Sequence, residues 1–223
     1  MIKTPIIVLN VKAYNESMGE SGYKLAKACE EAAEETDVNI CICPQQIDLA
    51  WISKEVKIPC FAQHADAADP GSQTGWVTME SVKASGAVGT LVNHSEHRIK
   101  IADIDSIITK AKKLDLATII CTNNEAVSAA VAALKPYAIA VEPPALIGSG
   151  IPVSKAEPEV VENTVKIVKD IHKDAVILCG AGISTGEDVK AAIELGTEGV
   201  LLASGVVKAE DPKSALLDLT SGL

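Results

Sequence analysis

Short apolar runs alternate with longer amphipathic stretches from one end of the chain to the other. The runs Pro5–Leu9, Val38–Cys43, Ile58–Ala62, Val88–Val92, Ala117–Cys121, Ala138–Val141, Val176–Cys179 and Gly199–Leu202 are aliphatic and bounded by turn-forming or polar residues, so each predicts a strand. Their hydrophobicity is continuous rather than alternating, which marks strands covered on both faces, as in parallel sheets. Between them, apolar residues recur at helical spacing. Gly22–Glu35, Asp103–Leu114, Asn124–Leu134, Pro158–Ile171 and Asp188–Leu195 predict helices, and 46–54 and 78–85 predict two weaker, shorter ones. The pattern is eight strand–helix units, which predicts a closed parallel (β/α)₈ barrel with outer helices, built as one domain over residues 1–223. An open doubly wound sheet is the other topology with this rhythm. Its dinucleotide-binding version is disfavoured because no Gly-x-Gly-x-x-Gly follows the first strand.

Composition sharpens this picture. Hydrophobic residues make up 48% of 223 and aromatics only 3%, so the core must be assembled from Val, Ile, Leu and Ala. That suits Ala-rich helices on an aliphatic sheet better than an antiparallel sandwich. The net charge of −10 argues against a nucleic-acid surface. It also means that an anionic substrate would need a local positive site. The six cysteines form no Cys-x-x-Cys pair and several end apolar runs, which predicts reduced core thiols. No run approaches the length of a membrane span and the amino-terminal run is too short for a signal peptide, so a cytoplasmic protein is expected.

In a barrel of this kind chemistry sits at the carboxyl ends of the strands. Asn10 and Lys12 follow the first strand, Gln63 and His64 the third, Asn93 to Glu96 the fourth, and Glu142 with "PPALIGSG" the sixth. "GAGIS" (180–184) follows the seventh and "ASG" (203–205) the eighth. Each feature alone has an ordinary structural explanation: a solvated lysine, a satisfied histidine, a loop carboxylate, a glycine turn. Together on one rim they offer a base, an imidazole, a cation and two small-residue turns whose backbone N–H groups can approach a phosphate.

These residues resemble one family, the triosephosphate isomerases. "LNVKAY" (9–14) resembles its Asn-x-Lys, "NHSEHR" (93–98) its Gly-His-Ser-Glu-Arg-Arg, and "VEPPALIGSG" (141–150) its mobile loop. "GSQTG" (71–75), with Thr74, resembles the loop by which subunits contact each other. The resemblance spans essentially the whole chain. It implies a TIM barrel that interconverts dihydroxyacetone phosphate and D-glyceraldehyde 3-phosphate in glycolysis and gluconeogenesis, without metal or organic cofactor. It implies Glu142 as base, His94 as electrophile, and Lys12 with Asn10 as catalytic and substrate-binding groups. It further implies that Ile147, Gly148, Gly182, Ala203 and Ser204 hold the phosphate, with Glu96, Ser95 and Thr74 in support. The "SEHRI" stretch is expected to open a helix whose dipole keeps His94 neutral, and residues 143–152 to form a lid. Partners other than the triose phosphate are further copies of the chain, in a dimer or, by preference, a tetramer.

There are departures. Val11 and Ala145 stand where tryptophan is common, Asn93 stands where glycine is usual, and the chain is short, as in the archaeal branch. Rival phosphate-binding barrels fit less well. A ribulose-phosphate epimerase would carry a His/Asp metal set, and a phosphoribosylanthranilate isomerase a Cys/Asp pair across the mouth. A non-catalytic scaffold barrel would be marked by loss of the Glu, His or Lys.

Overall fold

The computed structural model describes residues 2–143, 151 and 158–223. Eight parallel strands form the sheet: β1 Ile6–Asn10, β2 Asn39–Cys43, β3 Phe61–Ala62, β4 Gly89–Val92, β5 Ala117–Thr122, β6 Ala138–Val141, β7 Val176–Cys179 and β8 Gly199–Leu202. They are hydrogen-bonded in the order β2-β1-β8-β7-β6-β5-β4-β3. An isolated parallel bridge between Ile42 and Cys60 joins β2 to β3 and closes the barrel. β3 is shorter than its apolar run predicts. Pro59 has no N–H to give to the ladder; its carbonyl accepts from Ile42 N–H (3.1 Å), and regular pairing begins only beyond it.

Continuous apolar runs work here because both strand faces are buried. One face points into the lumen, where Phe61, the only phenylalanine, packs with Leu91, Ile119 and Leu178 among the small residues Ala138 and Ala140. The other face meets the helices: α1 Glu20–Thr36, α2 Leu49–Glu55, α3 Met79–Ala84, α4 Ile101–Lys113, α5 Glu125–Ala132, α6 Pro158–Ile171, α7 Gly186–Glu194, α8 Ser204–Val207 and α9 Pro212–Thr220. Among the described residues, four start with a side-chain cap, from Thr78, Asn124, Thr185 and Asp211. The apolar pattern does not single out α8 and α9. The second carried a local signal, an Asp cap followed by Pro212 in the first turn. All six cysteines are buried free thiols. Burial pushes Cys41, Cys60 and Cys179 up to about 12.

Of the expected lid at 143–152, all but Pro143 and Ile151 lie outside the described residues, Ile147 and Gly148 among them. Among the described residues, no helix is long and apolar enough to cross a membrane.

Candidate active site

The chain leaves β1 in a tight bend. Lys12 takes a left-handed backbone (φ 49), uncommon for a side chain of its size. Its N–H donates to Asn10 Oδ1 (3.0 Å), and its carbonyl accepts from Gln63 Nε2 (3.0 Å), which also reaches the Cys43 carbonyl (3.0 Å). With the backbone held from both sides, the lysine stem is directed across the mouth. Its Nζ lies 2.9 Å from Glu96 Oε1. Asn10 therefore shapes the bend and makes no described hydrogen bond to His94.

The segment after β4 is anchored as firmly. Asn93 is also left-handed (φ 62), a conformation asparagine tolerates better than most residues. Its Nδ2 donates to the Cys121 carbonyl (2.9 Å) and its Oδ1 accepts from Ile99 N–H (3.1 Å). Arg98 Nη1 donates to the Asn93 carbonyl (2.7 Å) and the Cys121 carbonyl (3.2 Å). This corrects the expectation that "SEHRI" opens a helix. Residues 94–97 form a turn closed by His97 N–H on the His94 carbonyl (2.8 Å), and α4 begins only at Ile101. The Asn93 and Arg98 bonds hold the following backbone away from helical geometry.

Local contacts, rather than a helix dipole, orient the imidazole, and Ser95 Oγ lies 3.5 Å from Nδ1. Glu96 N–H points at His94 Nδ1 (3.2 Å). A backbone N–H can only donate, so Nδ1 accepts and the ring proton sits on Nε2. Glu96 Oε2 also approaches Nδ1, at 3.5 Å, but that contact is longer and would need the opposite protonation. His94 Nε2–H then faces Glu142 Oε1 at 3.1 Å.

Glu142 follows β6 and is 2% exposed, with its N–H on the Thr122 carbonyl (2.7 Å). Its carboxylate is held by His94 and, more loosely, by Ser95 N–H to Oε2 (3.4 Å). Burial, reinforced by the Glu142 charge, pushes the Cys121 thiol well above its ordinary range, so it stays protonated beside the carboxylate. Room for Glu142 depends on Gly180: a Cβ there would lie 2.7 Å from Glu142 Cγ.

The other half of the mouth comes from β7 and β8. Gly182 bends the loop with φ 71. The Asp188 carboxylate gathers Ser184 N–H (3.0 Å), Thr185 N–H (2.9 Å) and Thr185 Oγ (3.0 Å), which pulls the loop's far side onto α7. After β8, Ala203 turns the chain into α8, whose first N–H groups at Ser204 and Gly205 lack intrahelical acceptors, as at any helix start.

These elements enclose a cavity of about 350 Å³ that brings together Asn10, Lys12, His94, Glu96, Glu142, Gly182, Ala203 and Ser204. Ser95 enters through its N–H. Thr74 does not join them; it is exposed in the loop after β3. Tyr14 lines the cavity without any sequence feature to announce it. Asp188 carries the detectable signal of a Thr-x-x-Asp capping box. No cluster of three or more His, Cys, Asp or Glu able to hold a metal occurs among the described residues.

The family model for triosephosphate isomerase matches residues 5–221. The chain belongs to the triosephosphate isomerase family. It is 60% identical over 215 residues to a triosephosphate isomerase of Methanothermus fervidus, covering 96% of this chain and 97% of that one. It is 58% identical over 219 residues to one of Methanobacterium bryantii, covering 98% and 97%. It is 53% identical over 222 residues to one of Methanobrevibacter smithii, covering the whole of both chains. A triosephosphate isomerase is an aldose–ketose isomerase, and the likeness to these relatives extends from β1 to α9.

Proposed function

We propose that this chain interconverts dihydroxyacetone phosphate and D-glyceraldehyde 3-phosphate with Glu142 as base, His94 as electrophile and Lys12 as anchor for the substrate's charge. The observation that carries the residue roles is the His94 tautomer: an imidazole with its only proton on Nε2, directed into the cavity beside a buried carboxylate. An uncharged N–H of this kind can donate to a carbonyl oxygen as it gains charge. The triosephosphate isomerase family is itself the standard example of a Glu base paired with a neutral His electrophile.

Glu142 takes a proton from the carbon next to the carbonyl, and the electron pair moves to the oxygen facing His94 Nε2–H. Return of the proton to the neighbouring carbon, with the hydroxyl proton passed from one oxygen to the other by way of His94 Nε2, completes the exchange. In this structure the carboxylate rests on His94 and Ser95, and the lysine on Glu96. Substrate binding replaces those contacts with its own: the oxygens take the imidazole proton and the ammonium, and Glu142 turns to the carbon. Gly182, Ala203 and Ser204 receive the phosphate through backbone N–H groups, joined by Ile147 and Gly148 from the segment expected as a lid. Glu96 and Ser95 position the histidine and the base.

The working form is a homo-oligomer, by preference a tetramer, of a cytoplasmic enzyme of the short archaeal type, each chain a single domain. The loop after β3 supports assembly. Its base is pinned by Asp66, which pairs with Val77 through two bonds of 2.7 Å, while residues 69–76 stand exposed with Trp76 at 55%. Thr74 on that arm would complete a neighbour's site rather than its own.

A coupled assay with glyceraldehyde 3-phosphate in D₂O tests the reading. Turnover with deuterium appearing on the carbon next to the carbonyl is expected; absence of turnover by folded protein would refute it.

A further inference from the structure

Among the described residues, the ionised side chains lining the cavity are one cation, Lys12, and two carboxylates, Glu96 and Glu142. Lys12 is already paired with Glu96 at 2.9 Å, and His94 is uncharged in the tautomer fixed by Glu96 N–H. The mouth of a chain of net charge −10 is thus itself net negative, yet the substrate is a dianion. A further cation nearby would offset this, and one is held there. Lys208, the residue that ends α8, places its Nζ 4.6 Å from the centre of the Tyr14 ring, and Tyr14 lines the cavity. Lys208 makes no ion pair among the described residues, so its charge is not spent on a carboxylate.

The backbone that carries the ring is firmly held. The Tyr14 carbonyl accepts from Ser17 N–H (3.1 Å), Ser17 Oγ (2.9 Å) and Gln45 Nε2 (3.0 Å). A cation over an aromatic face keeps its full charge while giving up part of its freedom. The stack therefore holds a positive charge on a ring that lines the cavity, carried by the helix that follows β8 and opens at Ser204.

We infer that Lys208, held on Tyr14, is a substrate-positioning residue that draws the triose phosphate dianion into the cavity and favours its phosphate on the β8 side. The inference rests on the isomerase reading above and adds a specificity element to it. A charge at the rim acts on capture rather than on proton transfer, so its signature is in kcat/KM and in salt dependence.

The test is Lys208→Met, which keeps the stem and removes the charge. Expected is a fall in kcat/KM for glyceraldehyde 3-phosphate of about 3- to 10-fold, carried mainly by KM, with a flatter dependence on ionic strength. The loss on unphosphorylated glyceraldehyde should be smaller. Tyr14→Leu should lose a comparable part of kcat/KM, and Tyr14→Phe, which keeps the ring, should recover most of it. An equal loss on both substrates, a loss confined to kcat, an unchanged salt dependence, or a Tyr14→Phe as impaired as Tyr14→Leu would overturn the inference. If Tyr14→Leu does not fold, Lys208→Met decides alone. The wild-type assay separates this from the underlying reading: an inactive wild-type enzyme would overturn the isomerase assignment, whereas an active one with an indifferent Lys208 would overturn only the role of Lys208.

Discussion

The two halves of the mouth are built on opposite plans. On the β1, β4 and β6 side the functional groups are side chains, and the backbone beneath them is strained and tightly bonded, with left-handed Lys12 and Asn93 each held by several hydrogen bonds. On the β7 and β8 side small residues expose backbone, and the fixing bonds sit behind the loop on Asp188. Proton transfer needs atoms placed to a fraction of an ångström, whereas a phosphate needs several N–H groups and no bulk. Damage to the first half, Lys12 apart, should appear in kcat, and damage to the second in affinity for the anion.

The largest effect is expected from Glu142→Asp, which retains the charge but withdraws it by one methylene. We expect kcat to fall about 10²-fold or more with little change in KM; steady-state kinetics checks this, and a kcat within a few-fold of wild type would remove Glu142 as the base. Gly180→Ala sharpens the comparison, because the residue belongs to the phosphate half but its new methyl would press on Glu142 Cγ at 2.7 Å. It should fail in the manner of the first half, with kcat down about 10-fold or more and affinity for inorganic phosphate largely kept.

Asp188→Ala attacks the second half from behind. Releasing Ser184 and Thr185 should weaken inhibition by inorganic phosphate several-fold while kcat stays nearer wild type, and loss of the capping box should cost about 1 kcal/mol of stability. Inhibition constants together with denaturant titrations read both effects. An equal fall in kcat would show that the halves are not separable.

The smallest effect lies outside both. His64 stacks on His97 with ring centroids 4.0 Å apart, and Asp66 lies 3.1 Å from its Nε2. Burial holds the His64 imidazole below its usual 6.5, against the opposing pull of Asp66. The unfolded chain therefore binds this proton first as pH falls, so the contribution to stability is present above about pH 6.5 and is lost below it. Denaturant melts at about pH 7.5 and about pH 5.5 should show a drop in stability that His64→Asn reduces; an equal drop in both proteins would assign the effect elsewhere.

The strand cores were legible because burial on both faces leaves an unbroken aliphatic run; β6, β7 and β8 have the predicted boundaries. β3 was overread because apolar residues at 58–60 gave no hint that Pro59 delays the ladder. That Asn10, Lys12, His94, Glu96 and Glu142 would meet in one cavity was legible because each stands just after a strand on the same rim. What holds them there was not. Nothing in "NHSEHR" says that Asn93 and Arg98 converge on one carbonyl of β5, or that the turn they stabilise displaces the expected helix start. The Tyr14–Lys208 stack was hidden for a similar reason, since it joins residues from opposite ends of the chain that meet only when β8 closes beside β1.

The closure between β2 and β3 has a kinetic meaning. Most other neighbours share ladders, β7 and β8 with their single pair Cys179–Val200 excepted, but here one bridge at Ile42–Cys60 and the Ile42–Pro59 bond hold neighbouring staves together. Local opening at this join breaks little, so its amides should exchange with solvent ahead of those in the β4–β5 ladder, well before the molecule unfolds as a whole. The exposed arm follows directly on that join in the chain. A second copy clasping the arm would slow this breathing, linking the isotope-exchange rate of a few buried amides to protein concentration.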